Sequence, residues 1–92
     1  MHIEYRRSAL KEIKKLDKLI RKEMVSRIKT CAENPKEGKS LKGDLSSYLS
    51  YDFIFKGVSY RIIYTIDKKS KTITIEMVGS RENIYKYLKR ML

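Results

Sequence analysis

What most constrains this chain is a change of hydrophobic period partway along it. Through residues 8–33 apolar side chains recur every three or four positions, and through residues 50–78 they alternate with polar ones. A repeat near 3.6 paints one stripe on a helix, while a repeat of two paints one face of a strand. A helical first part followed by a stranded second part predicts an α+β domain, with helices layered on a sheet. At 92 residues the chain has length for one core, so residues 1–92 are read as a single domain.

Residues 2–6 read as a short first strand with Ile3 and Tyr5 on one side. From Ser8 the period turns helical. Leu10, Ile13 and Leu16 form the inner stripe, and Lys11, Lys14, Lys15 and Lys18 cover the outside. Ser8 is suited to cap the start. Asp17 offers a second cap, which predicts a two-helix hairpin instead of one rod. Ile20, Met24, Ile28 and Cys31 or Ala32 make the second stripe. Asn34-Pro35 ends it, because the residue before proline disfavours helical geometry. Residues 35–47, with Pro35, Gly38, Gly43 and Ser46-Ser47, read as a loop.

Three strands follow, at 50–56, 58–66 and 72–78. In the first, Tyr51, Phe53 and Phe55 share a face. In the second, Val58, Tyr60, Ile62, Tyr64 and Ile66 oppose Ser59, Arg61, Ile63 and Thr65. In the third, Ile73, Ile75 and Met77 oppose Thr72, Thr74 and Glu76, and Gly79-Ser80 is expected to break the strand. A last helix is expected from about Glu82 to Arg90. The order is β-αα-βββ-α. Short turns make the later strands antiparallel neighbours. The fold expected is a mainly antiparallel four-stranded sheet with the helix pair on one face. The other face is left partly covered and is where chemistry is expected.

Charge narrows the choice of partner. Lys and Arg number 22 against 11 Asp and Glu, a net +11. A basic domain of this size favours polyanions or an acidic protein, although a solvated lysine-rich surface gives the same count. No apolar run is long enough to cross a membrane. The first residues, with His2, Glu4, Arg6 and Arg7, show no signal-peptide core, so the cytoplasm is expected. One cysteine, Cys31, excludes an internal disulfide and a cysteine-based zinc site. Its helical spacing reads as core packing.

Arg61 lies mid-strand among apolar neighbours, where burying a guanidinium calls for a carboxylate or phosphate. It pairs with Asp52 or Glu76, or it awaits a ligand. Arg81 follows the last strand near a helix start, an unfavourable place against the helix dipole that points to an anionic ligand. Tyr85 lies one turn further on and reads equally as core. His2, the one histidine, sits at the N-terminus, so no imidazole base or Ser-His-Asp set is expected. There is no P-loop or GxGxxG motif. The scattered carboxylates suggest no metal cage. No cofactor is expected.

Arg, Lys and Tyr suit one reaction class. RNA carries its own nucleophile in the 2′-hydroxyl. Its cleavage needs cations around the pentavalent phosphate, a base and a proton for the leaving oxygen. Arginine offers a two-pronged phosphate contact. Tyrosine is a poor base unless cations lower its pKa, and aromatic rings stack on unpaired bases.

The ALKEIKKL segment at 9–16, ENP at 33–35, LKG at 41–43, SYRIIY at 59–64 and VGSRENIY at 78–85 occur in the order found in the RelE/ParE toxin superfamily. Over residues 3–91 the chain resembles its RelE branch. The resemblance implies the toxin half of a toxin–antitoxin pair, with a cognate acidic helical antitoxin as partner. It implies ribosome-dependent cleavage of mRNA in the A site by 2′-hydroxyl attack, without metal. Arg61 would contact the reacting phosphate, Arg81 would close the site, and Tyr85 would orient or deprotonate the nucleophile. Two lysines of the best-known RelE toxin fall here on Asp52 and Ile54. Lys56, of the same parity, is a partial substitute, and Asp52 becomes either the base or the neutraliser of Arg61. The alternatives are a ParE-like gyrase inhibitor, or a basic module that only binds its antitoxin.

Overall fold

The structure is a computed structural model and describes residues 1–91. The first strand, β1 (His2–Tyr5), leads into α1 (Arg7–Lys15) and α2 (Lys18–Glu33). A two-residue strand β2 (Lys39–Ser40) lies between two 3₁₀ turns. It is followed by β3 (Leu49–Phe55), β4 (Val58–Asp67), β5 (Thr72–Ser80) and α3 (Arg81–Met91). The sheet has five strands in the order β1-β5-β4-β3-β2. Only β1 is parallel to its neighbour, β5. The expected β-αα-βββ-α order is therefore present, with β2 added inside the segment read as loop.

The helix hairpin covers one face of the sheet. Ala9, Ile13, Ile20, Met24, Ile28, Cys31 and Ala32 pack there with Phe53, Ile62, Tyr64, Ile73, Ile75 and Val78. Burial pushes the Cys31 thiol up to about 12, in keeping with a core residue. The Tyr64 hydroxyl, buried beneath the helices, donates to the Pro35 carbonyl at 2.8 Å. A Cβ at Gly38 would overlap that hydroxyl, so this approach requires glycine. Arg27 joins α2 to β3 by donating to the Tyr51 hydroxyl at 3.1 Å and lying over the Phe53 ring.

Five local expectations are corrected. Ser8 is not the cap of α1, which starts at Arg7 with Arg6 in the cap position and no side-chain cap bond. Arg6 is fixed there because its N–H donates to the Ile75 carbonyl of the sheet at 3.0 Å. With the helix set by that junction, Ala9 faces the core and Leu10 is exposed. Asp17 does occupy the cap position of α2, but its carboxylate makes no cap bond. Instead Arg21 reaches back to the C-terminal carbonyls of Lys14 and Leu16, at 2.8 and 3.0 Å.

The remaining two corrections concern β5. Ile63 pairs with Met77 and Tyr64 with Ile75, which leaves Glu76 as an extra residue. Such a bulge reverses the alternation beyond it. Val78 therefore enters the core in place of Met77. The strand also does not break at Gly79-Ser80: those residues pair with Arg61 and Tyr60. The Ser80 hydroxyl then accepts the Asn83 N–H at 3.2 Å, so strand passes into capped helix with no loop.

Candidate active site

The face away from the helix hairpin is built by register. Asp52 pairs with Arg61, and Arg61 with Gly79, forming one row across β3, β4 and β5. Residues directly opposite across strands share a face. Ile63 lies two residues from Arg61 on that face and is fully buried, as is Ile84 of α3. Ile84 sits above Gly79, which places α3 over one end of the Arg61 face. Leu88 is half-buried, while Tyr85 is 57% exposed and Tyr87 is also exposed. Leu92 and the Met91 side chain lie outside what the structure describes.

Arg61 and Asp52 form a two-bond clamp. Arg61 Nε donates to Asp52 Oδ1 at 2.8 Å and Arg61 Nη2 to Oδ2 at 3.0 Å. Ser50 Oγ donates to the same Oδ1 at 2.9 Å. The Arg61 side chain is 14% exposed and that of Asp52 48%. Of the two carboxylates the sequence offered, Asp52 therefore takes Arg61. Glu76 accepts instead from Arg6 and Thr65, at 2.9 and 3.0 Å.

A guanidinium has five N–H donors. The clamp uses the Nε edge, so both Nη1 hydrogens and one on Nη2 stay available as a second fork. The Asp52 carboxyl is held below the usual carboxylate range by the hydrogen bonds from Arg61. Ser50 and the charges of Arg61 and Arg81 act in the same direction, against desolvation. A base works best with a pKa near the working pH, so this shift makes Asp52 a weaker base and a stronger holder of Arg61.

An open groove of about 860 Å³ runs beside Arg61, between the β3–β4 turn and α3. Arg61, Arg81, Tyr85, Lys86 and Lys89 line it, with Glu82 the one carboxylate. Lys89 Nζ stands over the Tyr85 ring at 4.9 Å from its centre. Arg81 is the first residue of α3, where free backbone N–H groups and the dipole also favour an anion. The arrangement can hold a phosphodiester between two arginines beside an exposed phenol. Among the described residues, no three His, Cys, Asp or Glu side chains are grouped to hold a metal ion. No described helix is long and apolar enough to cross a membrane.

Arg61, Arg81 and Tyr85 thus meet at one groove, with Asp52 behind Arg61. Lys56 does not join them. With Gly57 it forms the two-residue turn between β3 and β4, at φ +50° and +77°. Strand parity ends at Phe55, so the parity argument for Lys56 does not apply. Lys56 lies over the Phe55 ring and lines a different groove with Asp17, Lys18 and Tyr60. Ile54, at the second lysine position, is 70% exposed. Lys86 and Lys89 also line the groove and are not among the residues singled out from the sequence; Lys89 lies four residues beyond Tyr85, a spacing that brings the two together on one helix face.

The chain belongs to the ParE-like toxins of type II bacterial toxin–antitoxin systems, whose family it matches over residues 3–89. Among the proteins it is similar to are RelE-like toxins. It is 30% identical over 81 residues to a RelE-like toxin protein of Escherichia coli, covering 87% of this chain and 82% of that one. The toxin–antitoxin complex RelBE2 of Mycobacterium tuberculosis matches with a TM-score of 0.72 at 26% identity, over 87% of this chain and 96% of that one. An arginine-to-alanine mutant of E. coli RelE in the free state shares the fold, with a TM-score of 0.74 at 23% identity, over 99% and 97% of the two chains.

Proposed function

We propose that this RelE-like toxin is an endoribonuclease that cuts mRNA in the ribosomal A site by metal-independent attack of the 2′-hydroxyl. The observation that carries the reading is the convergence of Arg61, Arg81 and Tyr85 on one basic groove. Arg61 and Arg81 bind the non-bridging oxygens of the reacting phosphate and stabilise the charge that grows there in the transition state. Tyr85 orients or deprotonates the 2′-hydroxyl, which attacks phosphorus. The leaving 5′-oxygen takes a proton, and the other product ends in a 2′,3′-cyclic phosphate. Asp52 fixes the plane of Arg61 so that its second fork faces the groove. Lys86 and Lys89 supply further field for the backbone. The ribosome presents the message, and an acidic helical antitoxin neutralises the toxin. The E. coli and M. tuberculosis homologues were crystallised with antitoxins.

One observation favours a second reading. With Asp52 neutralising Arg61 and Ile54 standing where a lysine is usual, the chain would bind its antitoxin but cut slowly. The two readings give Asp52 opposite signs. If Asp52 positions Arg61, Asp52→Asn lowers the cleavage rate about tenfold, the worth of one charge-assisted contact. If Asp52 silences Arg61, the same change raises it. A cell-free translation assay beside a gyrase supercoiling assay tests the target. The nuclease reading expects translation to stop and supercoiling to continue, and the reverse result would assign the chain a ParE-like action.

A further inference from the structure

Arg61 borders two grooves. Besides the one shared with Tyr85, a second groove of about 480 Å³ opens on the β2 side, lined by Lys39, Leu41, Lys42, Asp52 and Arg61. Lys39 pairs with Ser50, and Ser50 binds Asp52, so Lys39 stands on the Arg61 face of the sheet. Neither Lys39 nor Lys42 forms an ion pair among the described residues. From β5 to β2 is three strand spacings, roughly 14 Å, more than one nucleotide of an extended strand.

We propose that this second groove is a subsite for the RNA strand flanking the reacting phosphate. The strand crosses the sheet from the Tyr85 groove, over Arg61, to a neighbouring phosphate held by Lys39 and Lys42. Leu41 offers apolar surface to the ribose or base between the lysines. Glu37, on the same groove, repels phosphate and confines it to the lysine side. Arg61 is then the shared wall: the clamp with Asp52 keeps it upright between two subsites, and its free fork meets the reacting phosphate. The inference rests on the nuclease reading and adds to it where the RNA runs and which residues grip it away from the reaction.

Lys39 has a competing role. A lysine on a short edge strand also deters strand pairing between molecules. The experiment separates the two. Affinity of the full chain is measured by fluorescence anisotropy for 2′-O-methyl oligouridines of two and six nucleotides, over a range of salt. The wild type is expected to bind the hexamer about tenfold or more tighter than the dimer. In Lys39→Ala/Lys42→Ala most of that length gain disappears, and the hexamer salt slope falls by about 1.4. Lys68→Ala/Lys69→Ala, which removes equal charge at the β4–β5 turn, keeps the length gain. The subsite is overturned if Lys39→Ala/Lys42→Ala keeps the wild-type gain, with or without self-association, or if the turn variant loses as much. Failure of the wild type to bind either RNA above background would also overturn the subsite, whereas the nuclease reading falls only if the same protein leaves ribosome-bound message uncut.

Discussion

The two faces of this sheet are built on different rules. The hairpin face is closed by thirteen buried residues from both layers. The Arg61 face is covered only at one end by α3, through Ile84 and part of Leu88, and it keeps its charged groups beside open grooves. One face spends its residues on apolar area and the other on oriented charge. Stability and activity should therefore separate cleanly between them.

The largest effect is expected on the hairpin face. Met24 is fully buried, and Met24→Ala should cost roughly 2–5 kcal/mol of stability. Denaturant unfolding checks this, and a cost under about 0.5 kcal/mol would break the contrast between the faces. On the opposite face, Arg81→Ala should lower the cleavage rate roughly 10²–10³-fold with its unfolding midpoint nearly unchanged. Arg61→Ala should lose as much activity, and it also leaves Asp52 without its clamp. Soluble variants of either kind that arrest growth as the wild type does would remove these arginines from the reaction.

The thin anchoring of α3 sharpens the comparison further. Few buried contacts mean low local stability. Amide exchange at 82–90 should run faster than in β4 and β5, and should change when an antitoxin binds. Protection equal to the central strands in both states would exclude a movable helix. A +11 chain should also meet an acidic antitoxin segment at a rate that falls as salt rises. A rate flat with salt would contradict an acidic partner.

The smallest effect concerns pH. Asp52 is held below its ordinary range, so its contribution to stability is present above that range and is lost as pH falls through it, below about pH 4. Being half exposed, the pair is partly screened by water. Asp52→Asn should remove this segment of the pH profile, so that the two stability curves converge in acid. Parallel curves down to pH 2 would mean that the clamp contributes nothing to folding.

What the sequence revealed follows from how local each signal is. The period change disclosed both helices and the three long strands, because each repeats over several residues. The SYR and SRENIY segments brought Arg61, Arg81 and Tyr85 to notice, because strand parity and one helical turn suffice to relate them. The bulge at Glu76 was not visible: it is a mismatch between β4 and β5, so nothing in β5 alone announces that Val78 replaces Met77 in the core. The two-residue β2 has too short a run for any period, and its pairing with β3 alone defines it. Lys56 was misplaced because parity was carried one residue past the strand into a turn. Pairing of Arg61 with Asp52 instead of Glu76 was likewise a question of register, and Arg6 arrives from the far end of the chain to claim Glu76.

In the proposed function, the open face cuts RNA through attack of the RNA's own 2′-hydroxyl. Purified ribosomes carrying an mRNA with a single 2′-deoxynucleotide at the A-site cleavage position test it most directly. The all-ribose message is expected to be cut there to a 2′,3′-cyclic phosphate end, and the single deoxy substitution is expected to abolish the cut. Cleavage that persists with the deoxynucleotide in place, or an intact all-ribose message beside toxin that still arrests cell growth, would contradict it.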